Sequence, residues 1–343
     1  MTIARKLQIN LNDTVHYHCI SRCVRRSFLF GYDSLTQRNF DHRRAWVITQ
    51  LQSLCSVFAI KVCAYAVMSN HYHLVLCVEP DAIRNLSDEE VLMRIKHIHT
   101  LRMHGTFASI DKNKLNKIVT PDEMESYRKM LIDISTFMGA LNEYLARKAN
   151  KEDDCKGRFW ESRFKSMSLL DDAALLTCMA YVDLNPFKSG MAVSLEEADF
   201  TSIQERIRNS QSIKTIKKDK SAINPGLKHH LGLFASPNVA NPHIPCSWEN
   251  YYQLVEWTQQ QLQDKKSGSI SIELQIMLDK LGVKPDVWLS QAKQLEKNYS
   301  WMVGSFEKLK HVLENKKLQW VRGMRKMDWP RKNRHSFLSI NRS

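Results

Sequence analysis

The nine residues Met68-Ser69-Asn70-His71-Tyr72-His73-Leu74-Val75-Leu76 hold the densest chemistry in this chain. Two histidines one residue apart follow a turn-forming Ser-Asn pair and head an apolar run. In a strand, residues i and i+2 face the same way. His71 and His73 therefore present two imidazoles side by side, while Tyr72 turns to the opposite face. Two neutral nitrogen donors on a rigid strand can hold a divalent cation and leave positions open for a substrate. The tripeptide alone does not decide this, because His16-Tyr17-His18 repeats it. The flanks separate the copies: Ala64-Tyr65-Ala66-Val67-Met68 before and Leu74-Val75-Leu76-Cys77-Val78 within and after the second one predict two strands joined at Ser69-Asn70.

A second group lies at Ala180-Tyr181-Val182-Asp183-Leu184-Asn185-Pro186. From Asp171 to Leu184, apolar residues at Leu175, Cys178, Met179 and Val182 follow the spacing of an amphipathic helix. Pro186 should end it, since proline cannot continue the hydrogen-bond ladder. Tyr181 and Asn185, four apart, should share a face of the last turn. A phenol and an amide there could be aimed together at a metal held by the histidines. The plainer alternative is a tyrosine at the edge of the core and an asparagine that stops a helix.

Four blocks in one order decide between these readings. They are Tyr17-His18-Cys19-Ile20-Ser21-Arg22-Cys23-Val24-Arg25-Arg26, the His71-Tyr72-His73 block, Gly157-Arg158-Phe159-Trp160-Glu161-Ser162-Arg163-Phe164-Lys165, and Tyr181 through Gly190. Together they resemble the single-tyrosine HUH transposases, the family of the smallest insertion-sequence transposases and the REP-associated tyrosine transposases. The resemblance covers roughly residues 12 to 205, a single-domain length. It implies an α+β fold, an HUH-type antiparallel sheet with packed helices, related to ferredoxin-like folds. It also implies that Tyr181 attacks single-stranded or hairpin DNA, leaving a 3′ hydroxyl and a 5′-phosphotyrosine. His71, His73 and Asn185 would hold Mg²⁺ or Mn²⁺. The match assigns His71 and His73 to the metal pair and leaves His16 and His18 in the first strand. Family members commonly work as dimers, so a homodimer is the expectation. No residue is implied as acceptor of the phenolic proton.

Composition agrees with a nucleic-acid partner. The formal net charge is +14 over 343 residues, and the isoelectric point lies near 9.4, which favours a polyanion. No apolar run approaches the ~20 residues of a membrane span, and Met1-Thr2-Ile3-Ala4-Arg5-Lys6-Leu7 lacks the apolar core of a signal peptide. Eight cysteines scattered through mostly apolar segments read as reduced thiols of a cytoplasmic protein. His16, His18, Cys19 and Cys23 fit no common zinc spacing, and strand alternation puts Cys19 on the face opposite His18.

The elements that must position these groups read as follows. Residues 12–78 give strand, basic loop, helix and two strands. An insertion at about 80–130 opens with a capping box at Ser87-Asp88-Glu89-Glu90, and Thr120-Pro121-Asp122-Glu123 starts a helix running to about Asn150. The block at 157–165 alternates cations with aromatic rings, a pattern suited to single-stranded DNA. Arg22, Arg25 and Arg26 in the first turn, with Arg158, Arg163 and Lys165, are the candidate phosphate contacts. Residues 1–205 form the catalytic domain in this reading. Residues 206–247 form a basic linker and 248–343 a mainly helical accessory region, with one helix starting at Trp301 and a tail that mixes cations with Trp320 and Trp329. A non-catalytic DNA-binding regulator of repeated hairpins would use the same basic surface without needing His71, His73, Tyr181 and Asn185 together. A replication initiator or relaxase of the same superfamily would share the bond chemistry but not the Tyr-Val-Asp-Leu-Asn-Pro block.

Overall fold

The computed structural model describes residues 4–24, 30–33, 37–103, 119–212, 226–227, 230–263 and 270–324. In chain order the elements begin with α1 (Arg5–Gln8), β1 (His16–Arg22), β2 (Tyr32–Asp33), β3 (Arg38–Asn39), α2 (His42–Cys55), β4 (Ile60–Val67) and β5 (His71–Val78). The region expected as an insertion holds α3 (Pro80–Arg84), α4 (Asp88–Met103) and α5 (Pro121–Met130). Then come α6 (Ile134–Glu152), β6 (Lys165–Leu169), α7 (Asp172–Asp183), α8 (Asn185–Lys188) and α9 (Ser202–Ser212). The chain continues with α10 (Trp248–Gln263), α11 (Ile272–Lys280), α12 (Pro285–Asn298), β7 (Met302–Val303) and α13 (Phe306–Asn315).

One sheet runs β4-β5-β1-β6-β7, with only the last pair parallel. Its first four strands, with α2 linking β1 to β4 and α6 linking β5 to β6, give the ferredoxin-like βαββαβ order. The α+β fold with an antiparallel sheet and packed helices is therefore present. Period-two alternation sorts the strands onto two cores. Tyr17, Cys19, Tyr72, Leu74 and Leu76 pack with α2, α4 and α6 on one face. Val75, Cys77, Met167 and Leu169 pack with α7, α10, α11 and α12 on the other.

Local signals account for most boundaries. Ser69 and Asn70 form the tip of the β4–β5 hairpin, with Val67 opposite Tyr72 and the Met68 N–H donating to the His71 carbonyl at 2.9 Å. The expected capping box forms, the Glu90 N–H donating to Ser87 Oγ at 3.2 Å, and the helix start expected at Thr120 proves to be a second one, Thr120 and Glu123 capping each other reciprocally. The helix expected from Thr120 to about Asn150 is two helices, because Asp133 accepts from the Ser135 and Thr136 N–H groups and starts a new one.

The C-terminal third departs most from expectation. The segment at Trp301 is a strand before it is a helix: β7 pairs with β6, and Ser305 then caps α13. The described residues beyond 248 thus contribute a strand to the sheet and side chains to its second core. The stretch expected as a linker from residue 206 begins inside α9, and Leu227, Leu231 and Ile244 are buried. Leu231 bridges to Val62 of the edge strand β4. The α7 helix is buried on nearly all sides, not amphipathic, because α10 and α12 cover its outer face. Lys316 of the basic tail is an internal tie, its Nζ 2.6 Å from Asp13 Oδ2 with both side chains largely buried. Arg325, Lys326, Trp329, Arg331, Lys332 and Arg334 lie outside the described residues. Among the described residues no helix is long and apolar enough to cross a membrane.

Candidate active site

Register places the histidines. The β1–β5 ladder sets Ile20 opposite His73 and Arg22 opposite His71. Because His18, Ile20 and Arg22 alternate onto one face, His18 falls diagonally beside His73. The His71 and His73 rings meet edge to face with centroids 4.8 Å apart. His18 and His73 stack, centroids 5.2 Å apart and planes 16° from parallel. Tyr181 on α7 presents its ring edge-on to both, at 6.1 Å from His18 and 5.9 Å from His73. Three imidazoles and one phenol therefore converge between the sheet and α7.

Burial keeps the imidazoles neutral. His18 is pushed down to about 4 by loss of hydration, and His71 to about 4 by burial and then by the Arg22 charge. His73 falls well below its ordinary value, first through burial and then through the neighbouring His71. Neutral imidazole carries one N–H and one lone pair. His71 Nδ1 is 2.6 Å from Asn70 Oδ1, a contact that requires Nδ1–H and leaves the lone pair on Nε2. His18 Nε2 and His73 Nδ1 are 3.0 Å apart, so one of them donates to the other. His73 Nε2 and His18 Nδ1 are buried without a hydrogen-bond partner.

The phenol is engaged from the far end of the chain. Tyr181 Oη donates to Glu296 Oε1 at 2.7 Å, and the same oxygen lies 3.7 Å from His73 Nδ1. Glu296 belongs to α12. Burial, followed by the Glu296 carboxylate, raises the Tyr181 pKa, whereas Arg22 opposes the rise. Lys188 of α8 holds its Nζ 3.7 Å from the centre of the Tyr181 ring. It donates to the carbonyls of Tyr181 at 3.0 Å and Ala292 at 3.1 Å. Burial lowers the Lys188 pKa to about 7.

Four other tyrosines, Tyr17, Tyr65, Tyr72 and Tyr144, are bonded elsewhere, Tyr144 accepting from Lys148 Nζ at 3.0 Å. Tyr17 bonds the Thr14 carbonyl and Tyr72 bonds Asn142, both on the opposite face of the sheet, and Tyr65 bonds Glu205. Asn185 does not sit in the last turn of α7, as its spacing predicted. That helix ends at Asp183 and Asn185 opens α8, since Pro186 forces a new start. Its side-chain Nδ2 is buried and without a partner. Of the basic candidates, Arg22, Arg158, Arg163 and Lys165 are exposed. The Glu161 N–H donates to the Arg22 carbonyl at 2.8 Å, tying the 157–165 block to the end of β1. Arg25 and Arg26 fall outside the described residues. Phe159 and Phe164 are core residues.

Sequence reasoning missed three members. His18 carries the same period-two signal as His73, but the family resemblance leaves it in the first strand. Lys188, seven residues after Tyr181, lay beyond the expected helix end. Glu296 carried no signal, being 115 residues from its partner.

Although the three imidazoles meet here, among the described residues no group of three or more His, Cys, Asp or Glu side chains is arranged to hold a metal ion. His73 Nε2 is buried without a partner, and His71 offers the lone pair of its Nε2. Two neutral imidazoles on one strand face are donors of the kind an open divalent site uses. The unsatisfied atom of Asn185 is its Nδ2, a hydrogen-bond donor and not a metal ligand.

No family model matches the chain, and no curated protein matches it. Among solved structures, a chain described as the REP-associated tyrosine transposase bound to a REP hairpin is similar over 61% of this chain and 87% of its own length. Identity is 12% and the TM-score 0.35, a likeness too remote to bear on chemistry.

Proposed function

We propose that this protein is a metal-dependent single-tyrosine DNA strand transferase of the HUH transposase type, acting in the cytoplasm on single-stranded or hairpin DNA. The observation that supports it most is the Tyr181 Oη–Glu296 Oε1 hydrogen bond of 2.7 Å beside three neutral histidines. The ordered sequence blocks that carry the family resemblance supply the nucleophile and ligand roles.

In this reading Tyr181 Oη attacks the phosphorus of a phosphodiester and Glu296 Oε1 receives its proton. The geometry for that transfer already exists, within the 2.6–3.2 Å reach a general base needs. The P–O3′ bond breaks, the 3′ oxygen leaves as a hydroxyl after taking a proton from water, and the 5′ phosphate remains on Tyr181. Rejoining reverses the same steps without a nucleotide cofactor, because the phosphotyrosine keeps the bond energy. The Lys188 ammonium under the ring and Arg22 nearby stabilise negative charge as it develops on the phenol oxygen. When bound at His71, His73 and Asn185, Mg²⁺ or Mn²⁺ would polarise the scissile phosphate.

The test is incubation of the purified full chain with a labelled single-stranded hairpin and Mg²⁺ or Mn²⁺, then denaturing electrophoresis. A protein-linked DNA band that requires the cation is expected. Hairpin binding with no adduct at any cation concentration would instead identify a non-catalytic DNA-binding protein.

A further inference from the structure

A cleft of about 90 Å³ opens beside the Tyr181–Glu296 pair, between the β1–β6 edge and the end of α12, lined by His18, Lys165, Glu296, Tyr299, Ser300 and Arg322 among others. That volume is well above the ~10–15 Å³ a single water needs, and it accommodates a group of phosphate size. Its mouth is cationic. Lys165 is exposed at the start of β6, and its ammonium meets no carboxylate among the described residues. The Arg322 guanidinium uses one nitrogen on the carbonyls of Tyr299 at 2.6 Å and Glu296 at 3.4 Å. It faces no carboxylate in any ion pair of the described residues, so the rest of its planar fork is available to phosphate oxygens. His18, at the inner end, has a buried Nδ1 without a partner. The one carboxylate in the lining, Glu296, is committed to Tyr181.

We infer that this cleft seats a phosphodiester of single-stranded DNA next to the one that Tyr181 attacks, held between Lys165 and Arg322. The inference rests on the strand-transfer reading for the identity of the strand, and it adds a seat that brings the C-terminal segment into DNA recognition. The phosphate sits toward the cationic mouth, where repulsion from Glu296 is least. A neighbouring phosphate fixed there holds the scissile one in register with the phenol, the positioning that phosphoryl transfer depends on.

The experiment measures binding of a fluorescent single-stranded oligonucleotide by anisotropy across salt concentrations. It uses the full-length Tyr181→Phe protein without divalent cation, so that no chemistry intervenes. Each lost phosphate contact should flatten the plot of log affinity against log salt by about 0.7. Lys165→Ala and Arg322→Gln should each show that change with several-fold weaker binding at low salt. Arg322→Lys should keep the slope, and Lys129→Ala, on α5 at the other face of the sheet, should change nothing. Unchanged slopes in Lys165→Ala and Arg322→Gln overturn the proposal. So does an Arg322→Lys protein that loses as much as Arg322→Gln, since that would make Arg322 only a clamp on the end of α12. Adduct formation by the wild-type chain is assayed separately. Flattened slopes without any adduct would keep the cleft and remove strand transfer, whereas an adduct with unchanged slopes would do the reverse.

Discussion

His18 Nε2 lies 3.0 Å from His73 Nδ1, joining two neutral, fully buried imidazoles from strands 55 residues apart in sequence. If His73 donates through Nδ1, its lone pair sits on Nε2, the atom left without a partner. His18 then acts on the metal through His73, as a positioning residue that fixes ring orientation and tautomer. Such outer partners typically affect metal affinity by about 10–100-fold. His18→Ala should therefore weaken Mn²⁺ binding on that scale, whereas His73→Ala should remove it and leave hairpin binding largely intact. Calorimetric titration of Mn²⁺ into both variants checks this, and equal affinity in His18→Ala and wild type would refute the positioning role.

Tyr181→Phe removes one oxygen and little volume. The Glu296 carboxylate it leaves behind is 28% exposed, so water can replace the lost donor and stability should change by no more than about 1 kcal/mol. The covalent adduct should disappear altogether. Finding the adduct undiminished, or mapping it by mass spectrometry to another tyrosine, would show that the wrong nucleophile has been named.

Glu296→Gln keeps the shape of the side chain and removes its ability to take the phenolic proton. General-base contributions commonly amount to about 10²–10⁴-fold, so adduct formation should slow by that order at saturating DNA. Hairpin affinity and melting temperature should stay close to wild type. A variant that reacts at the wild-type rate would assign the proton to another acceptor.

Stability of the metal-free protein should fall in acid. His18 and His71 sit at about 4 and His73 well below its ordinary value, whereas unfolded histidines titrate near ~6.5. Between these limits the unfolded chain binds protons that the folded chain refuses, so stability is lost as pH falls from about 6.5 toward 4. Asp183 opposes this: burial raises it to about 6 against its bonds to Ser202 and Tyr251. Its contribution is present at low pH and is lost as pH rises through that value. His16, which against burial is held above its ordinary value by its bonds to Cys77 and the His243 carbonyl, also opposes the loss in acid. Three lowered histidines outweigh these two groups, so the melting temperature should drop between pH 7 and 4.5. Replacing both His18 and His71 by Asn should flatten the drop. A profile equally steep in that double variant would exclude the histidines as its cause.

Deleting residues 248–343 should destroy the fold, not merely broaden recognition as an accessory region would. The deletion removes β7 from the sheet and exposes the outer side of α7, where Tyr251 Oη donates to the buried Asp183 at 2.6 Å. The milder Tyr251→Phe should cost about 1–3 kcal/mol, because a buried carboxylate loses one of its donors. Denaturant unfolding measures both. A soluble, cooperatively folding fragment 1–247 would contradict this account.

Much of the site was legible in the sequence because it is set by local rules. Alternation of period two put His71 and His73 on one face and Tyr72 on the other, and Ser69-Asn70 set the hairpin that orients them. The helix carrying Tyr181 followed from its apolar spacing, and the basic residues of the 157–165 block proved exposed around a core of Phe159 and Phe164. Each of these depends on residues within about one turn or one strand of each other. The tertiary structure alone decided which strand lies beside which, and so turned His18 from a chance tripeptide into the neighbour of His73. It also decided what covers α7. The apolar stripe of that helix faces the sheet, but its outer face is buried by α10 and α12, whose own patterns say only that they bury something. That packing delivers Glu296 to the Tyr181 hydroxyl across 115 residues. Hydrophobic burial is non-directional, so a sequence records that a face is apolar without recording its partner.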